Sequence, residues 1–125
     1  MGDTVARLRE ETIQGTRSGD ELEVMSGPED GRRFALDQPA VTIGRLPSCD
    51  ISLPLDPSVS RNHARLTHDN NAWVVDDLGS RYGTEVDGAA VRPRTPLRDG
   101  AMLRVGETYL RFRHFQTLPD GRGSD

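Results

Sequence analysis

The chain has 125 residues, with 16 Lys or Arg against 20 Asp or Glu for a formal net charge of -4, and a single cysteine. That length fits one folded domain with tails and leaves little room for a second. One cysteine excludes an internal disulfide, the three histidines (His63, His68, His114) lack metal-site spacing, and no run of even about seven apolar residues offers a membrane span or a secretory signal core.

Residues 1–20 carry few sizeable apolar groups (Val5, Leu8, Ile13) and close on Gly15, Ser18 and Gly19, so they are expected to form an acidic flexible tail. From residue 21 to 116 the apolar residues come in short runs cut by Gly, Pro, Asn and Asp, and no window of helical length survives. Strands are expected at Glu21 to Ser26, Arg33 to Leu36, Val41 to Gly44, Ile51 to Leu53 and Ala64 to Asp69. Further strands are expected at Ala72 to Asp76, Thr84 to Val86, Ala89 to Val91, Met102 to Val105 and Thr108 to Arg113. Alternation is clean in Tyr109-Leu110-Arg111-Phe112-Arg113, which puts Leu110 and Phe112 on one face and arginines on the other. Asp69-Asn70-Asn71, Asp87-Gly88 and Gly106-Glu107 provide tight hairpin links. The expected fold is all-β, two twisted antiparallel or mixed sheets packed as a sandwich of about ten to eleven short strands, with a barrel as the second choice. The expected core holds Leu22, Val24, Phe34, Leu36, Val41, Ile43, Ile51, Leu53, Leu66, Trp73, Val75, Leu103, Leu110 and Phe112. Residues 117–125 read as a second flexible tail.

All the basic residues are arginines, whose planar fork suits bidentate capture of phosphate or carboxylate. Beyond residue 23 the charges nearly balance and are interspersed, which makes non-specific nucleic-acid binding a poor reading. No membrane association, metal or cofactor is implied, and the cytoplasm is the expected compartment.

Two loops depart from what packing requires. One runs from Gly44-Arg45 to Ser60-Arg61-Asn62-His63, and the other is Asp77-Leu78-Gly79-Ser80-Arg81-Tyr82-Gly83-Thr84. Gly44 is expected to let the backbone turn sharply so that Arg45 projects from the end of the sheet. Ser60 and Arg61 bring a hydroxyl, a guanidinium and backbone amides to that same end, and Ser80 and Arg81 add a further wall. Each charge-assisted hydrogen bond to a phosphate is worth about 1.5–3 kcal/mol, so a few of them bring a phosphopeptide to about micromolar affinity.

In order and spacing, Gly44-Arg45, Ser60-x-x-His63 and Gly79-Ser80-x-x-Gly83-Thr84 resemble the signature of the forkhead-associated (FHA) domain, over about Leu22 to Phe115. The resemblance implies a non-catalytic module that recognises phosphothreonine in partner proteins downstream of a Ser/Thr protein kinase. It implies Arg45 and Ser60 as phosphate ligands, with Arg61 flanking the bound peptide. Ser80, Arg81 and Tyr82 would meet the ligand backbone and downstream residues, while Gly44, His63 and Gly83 support the site. Tyr82 stands where the family usually has Asn, which places the grip on the ligand main chain in question. A degenerate scaffold binding unphosphorylated partners through a sandwich face is therefore the alternative. A Ser60–His63–Asp76 or Asp77 triad is also conceivable, yet no nucleophile elbow or helix accompanies it. Finally, Thr12 in the acidic tail is a candidate phosphorylation site through which the tail would occupy its own domain's site.

Overall fold

The computed structural model describes residues 19–91 and 94–115. Thr12 and the expected tail segments 1–18 and 117–125 lie outside the described residues. Eleven strands are present among those described. In chain order they are β1 (Gly19–Val24), β2 (Arg33–Ala35), β3 (Ala40–Gly44), β4 (Ile51–Ser52), β5 (Ala64–Asp69) and β6 (Ala72–Asp77). They continue with β7 (Thr84–Val86), β8 (Ala89–Ala90), β9 (Thr95–Leu97), β10 (Met102–Val105) and β11 (Thr108–Phe115). The only helical element among the described residues is a 3-10 turn over Gly27–Glu29.

The strands form two sheets, a five-stranded one in the order β9-β6-β5-β3-β4 and a six-stranded one in the order β2-β1-β11-β10-β7-β8. The fold is the β-sandwich that short alternating runs demand. Period-two patterning sends Leu66, Val75, Val41 and Ile43 from one sheet, and Leu22, Val24, Leu103, Val105, Leu110 and Phe112 from the other, into a single shared core. Burying each such side chain contributes about 1.5–3 kcal/mol. The hairpin links use the left-handed backbone that their residues tolerate: Asn70 and Asn71 have φ of 51° and 64°, and Asp87 and Gly88 have 51° and 86°.

Three expectations are corrected. The strand at Thr95–Leu97 was not anticipated, because Pro96 breaks the usual strand signal. Proline is accommodated there because β9 is at the sheet edge, pairing only with β6. Phe34 is half-buried, its ring lying under the Arg32 guanidinium at 4.6 Å, while Val59, Val86, Val91 and Leu97 complete the core. The first strand begins at Gly19 and ends at Val24, where Gly27-Pro28 starts the 3-10 turn.

The register fixes where the loops emerge. In the five-stranded sheet Ile43 pairs with Ala64, and Ala64 in turn with Asp77, so the end of β3, the start of β5 and the end of β6 share one end of the sandwich.

Candidate functional site

Gly44 closes β3 against the loop that precedes β5. A Cβ at this position would sit 2.0 Å from the Arg61 carbonyl oxygen and 2.7 Å from Cys49 Sγ. The glycine is needed for this close approach and not for a sharp turn, since Gly44 is absent from the positive-φ residues. Cys49 Sγ in turn donates to the Arg61 carbonyl at 3.3 Å. Immediately after the glycine, the Arg45 amide donates to the Ser60 carbonyl at 3.0 Å and Arg45 Nε to the Val59 carbonyl at 3.0 Å. The guanidinium is thus aimed by the loop that carries Ser60, and it faces no carboxylate among the described residues.

That loop is held from beneath by two buried polar side chains. Asp56 accepts hydrogen bonds from the Ser58 amide at 2.8 Å, the Glu107 amide at 2.9 Å and Thr108 Oγ1 at 2.7 Å. Gly106 allows the β10–β11 hairpin to approach, for a Cβ there would lie 2.9 Å from the Val59 amide nitrogen. His63 is 0% exposed. Its Nδ1 accepts from the Ser60 amide at 3.0 Å and its Nε2 lies 2.9 Å from the Gly83 carbonyl. Because a backbone amide can only donate, Nδ1 is unprotonated, and the neutral imidazole carries its proton on Nε2 and donates it to Gly83. Burial pushes the His63 pKa below its ordinary value, against the opposing pull of the Gly83 carbonyl and of Asp77 and Asp56.

The second loop is organised by Asp77. Its Oδ2 accepts from the Gly79 and Ser80 amides at 3.0 and 2.9 Å, and its Oδ1 from Ser80 Oγ at 2.5 Å and Thr84 Oγ1 at 2.6 Å. Burial alone would raise the Asp77 carboxyl, but these hydrogen bonds outweigh it and hold the pKa below the usual carboxylate range. Ser80 Oγ, its proton given to Asp77, also accepts from the Gly83 amide at 2.9 Å, so the hydroxyl is committed inside the loop. Gly79 and Gly83 have φ of 78° and 85°, the left-handed region that glycine adopts without strain.

The two loops meet at Ser60. Its hydroxyl oxygen accepts from the Arg81 amide at 3.0 Å, which leaves the hydroxyl proton to donate outward. Arg45, Ser60, Arg61, Arg81 and Tyr82 are brought to one end of the sandwich. Arg81 Cζ lies 5.5 Å from the centroid of the Tyr82 ring, which is 56% exposed. Ser80, Gly44, His63 and Gly83 lie beneath this surface. The hydroxyl-to-imidazole contact that a serine nucleophile needs is not the one made, because His63 takes the Ser60 amide and Asp77 bonds only within its own loop.

Sequence reasoning did not assign Asp56 or its link to the β10–β11 hairpin, and it considered Asp77 only as a triad member. Asp77-x-x-Ser80 after a strand carried a readable turn signal, an Asp bonding backbone two and three residues on. Asp56 had none, since its partners are about fifty residues away.

An all-β sandwich with an arginine and a serine held on loops at one end defines a loop-borne binding module. The chain belongs to the FHA domain family, whose sequence profile matches residues 41–106. It is 39% identical over 101 residues to the glycogen accumulation regulator GarA of Mycolicibacterium smegmatis, covering 80% of this chain and 63% of GarA. It is 41% identical over 91 residues to the oxoglutarate dehydrogenase inhibitor of Corynebacterium efficiens, covering 73% of this chain and 63% of that protein. The match therefore spans less than two thirds of either relative's length. Among solved structures, Mycobacterium tuberculosis EmbR in complex with a low affinity phosphopeptide superposes with a TM-score of 0.71 at 30% identity, covering 78% of this chain and 25% of EmbR. These relatives are a regulator and an inhibitor by name, and no helix among the described residues is long and apolar enough to cross a membrane.

Proposed function

We propose that this domain binds phosphothreonine in a partner protein, as a non-catalytic adaptor downstream of a Ser/Thr kinase in the cytoplasm. The observation that carries this reading is the pairing of Arg45 with Ser60. The Val59 carbonyl orients the guanidinium, the Ser60 carbonyl ties the Arg45 backbone to the same loop, and the Ser60 hydroxyl keeps its proton free. A phosphate dianion takes charge-assisted hydrogen bonds from both groups, and preorganisation lowers the ordering cost. Arg61, Arg81 and Tyr82 flank the peptide in this reading. Ser80, whose hydroxyl is committed to Asp77, acts by holding the loop's shape. The EmbR complex supports a phosphorylated ligand for the family member it contains.

Anisotropy titration with a phosphothreonine peptide library, beside phosphoserine and unphosphorylated counterparts, tests the proposal. Binding at about micromolar Kd, near -8 kcal/mol, is expected for phosphothreonine alone and is lost in Arg45→Ala. Binding that ignores phosphorylation, or that survives Arg45→Ala, overturns it. Tyr82 favours the second reading, a scaffold that takes unphosphorylated partners on a sandwich face, and equal binding of both peptide forms is its signature. Thr12 extends the first reading: once phosphorylated, it would compete with external peptides for the same site, and equal binding of a phosphopeptide before and after Thr12 phosphorylation rules this out.

A further inference from the structure

The three segments that form the site, 44–46, 59–63 and 78–83, contain Arg45, Arg61 and Arg81 and no acidic residue, in a chain of net charge -4. Of the other described arginines, five are matched: Arg32 faces Glu29, Arg33 faces Glu21 and Glu23, Arg94 faces Asp69 and Asp76, Arg104 faces Glu85, and Arg113 faces Glu23, whereas Arg65, Arg98 and Arg111, each on a different segment, form no ion pair among the described residues. The three at the site have no carboxylate partner among the described residues. The nearest carboxylate in the chain order of the second loop, Asp77, has both oxygens turned to its own loop. The imbalance is therefore not relieved internally.

A phosphothreonine seated on Arg45 and Ser60 brings its own dianion to Arg45. It leaves Arg61, the residue after Ser60, and Arg81, whose amide is bonded to Ser60 Oγ at 3.0 Å, as two exposed cations on either loop beside it. Arg81 is moreover seated over the Tyr82 ring, which restricts the guanidinium and reduces the entropy lost when it takes a partner. Resting on the phosphothreonine reading, we propose that Arg61 and Arg81 select ligands whose phosphothreonine is flanked by acidic residues. The site's partner class is thus an acidic phosphothreonine segment.

The test uses the full chain and one short phosphothreonine peptide in three versions, with Glu, Gln or Lys on both sides of the phosphothreonine, plus the unphosphorylated Glu version. Exposed ion pairs each contribute a few-fold at most, so the Glu peptide is expected to bind about tenfold tighter than the Gln peptide and the Lys peptide weakest. The Glu-to-Gln ratio is expected to fall toward one in the Arg61→Gln/Arg81→Gln double variant and in about 0.5 M salt. Arg65→Gln, an exposed arginine on β5, removes the same kind of charge away from these loops and should leave the ratio unchanged. Equal binding of the Glu and Gln peptides, or an undiminished ratio in the double variant, overturns the proposal while leaving phosphothreonine binding standing. Failure of every phosphopeptide to bind the folded protein overturns the phosphothreonine reading itself, and the selectivity with it.

Discussion

The two loops of the site are held by the same device, a carboxylate collecting hydrogen bonds, yet they differ in what they depend on. Asp77 bonds to residues two, three and seven positions along the chain, so its loop is a local turn that carries its own shape. Besides the Ser58 amide two positions on, Asp56 reaches Glu107 and Thr108, 51 and 52 positions away, so the loop bearing Ser60 also depends on the β10–β11 hairpin being docked against it. The loop bearing Ser60 thus leans on tertiary packing, and the loop bearing Tyr82 on its own sequence.

The largest effect should come from pressing on the tertiary loop. Gly44→Ala drives a Cβ into the Arg61 carbonyl and is expected to cost about 3 kcal/mol, lowering Tm by roughly 10–20 °C in thermal denaturation. An unchanged Tm would show that the loop yields and that its anchoring is weaker than described. Next, Asp56→Ala strands three donors, one of them the buried Thr108 hydroxyl, and should cost about 2–3 kcal/mol. Asp77→Ala, in its half-buried loop, should cost about 1 kcal/mol while still loosening Arg81 and Tyr82. Equal losses of stability in chemical denaturation would erase the distinction between the loops.

A smaller effect comes from acid. With its folded pKa depressed, His63 stays neutral in the native state while the unfolded chain takes up a proton below about 6.5. Its contribution is therefore complete above that pH and is lost as the pH falls toward the folded value, at no more than about 1.4 kcal/mol per pH unit. Asp77 works in a separate window, stabilising above its ordinary 3.8 and losing its contribution below it. Melting curves from pH 7.5 to 5 should show Tm declining in the native protein and a flatter profile in His63→Gln; identical slopes would exclude His63 as the source. The smallest effect on stability is expected from Tyr82→Asn, an exposed position, where Tm should hold while phosphopeptide affinity rises about threefold as a side-chain amide becomes available to the ligand backbone.

This contrast also explains what could be read before the structure was known. Alternation in β10 and β11 and the turn residues Asn70, Asn71, Asp87 and Gly88 are local signals, and they placed the hairpins. That Arg45, Ser60 and Arg81 gather at one end of the sandwich was legible from motif spacing alone. The reason for Gly44 was not: a close approach between residues 44 and 61 is invisible until both strands are registered. Asp56 and Gly106 escaped for the same reason, and Pro96 hid β9 by removing a donor that an edge strand does not use.

Among the described residues, the four strands at the borders of the two sheets, β2, β4, β8 and β9, are only two or three residues long, and β9 contains Pro96. Short, interrupted borders of this kind offer little ladder for an incoming chain to extend, which protects the domain from edge-to-edge aggregation. The same trait disfavours capture of a partner by strand addition, in which an extended peptide joins a sheet edge through its main chain. Under the proposed function, recognition would fall to side chains and loop amides at the sandwich end, where a covalent mark on the partner could be distinguished from its absence.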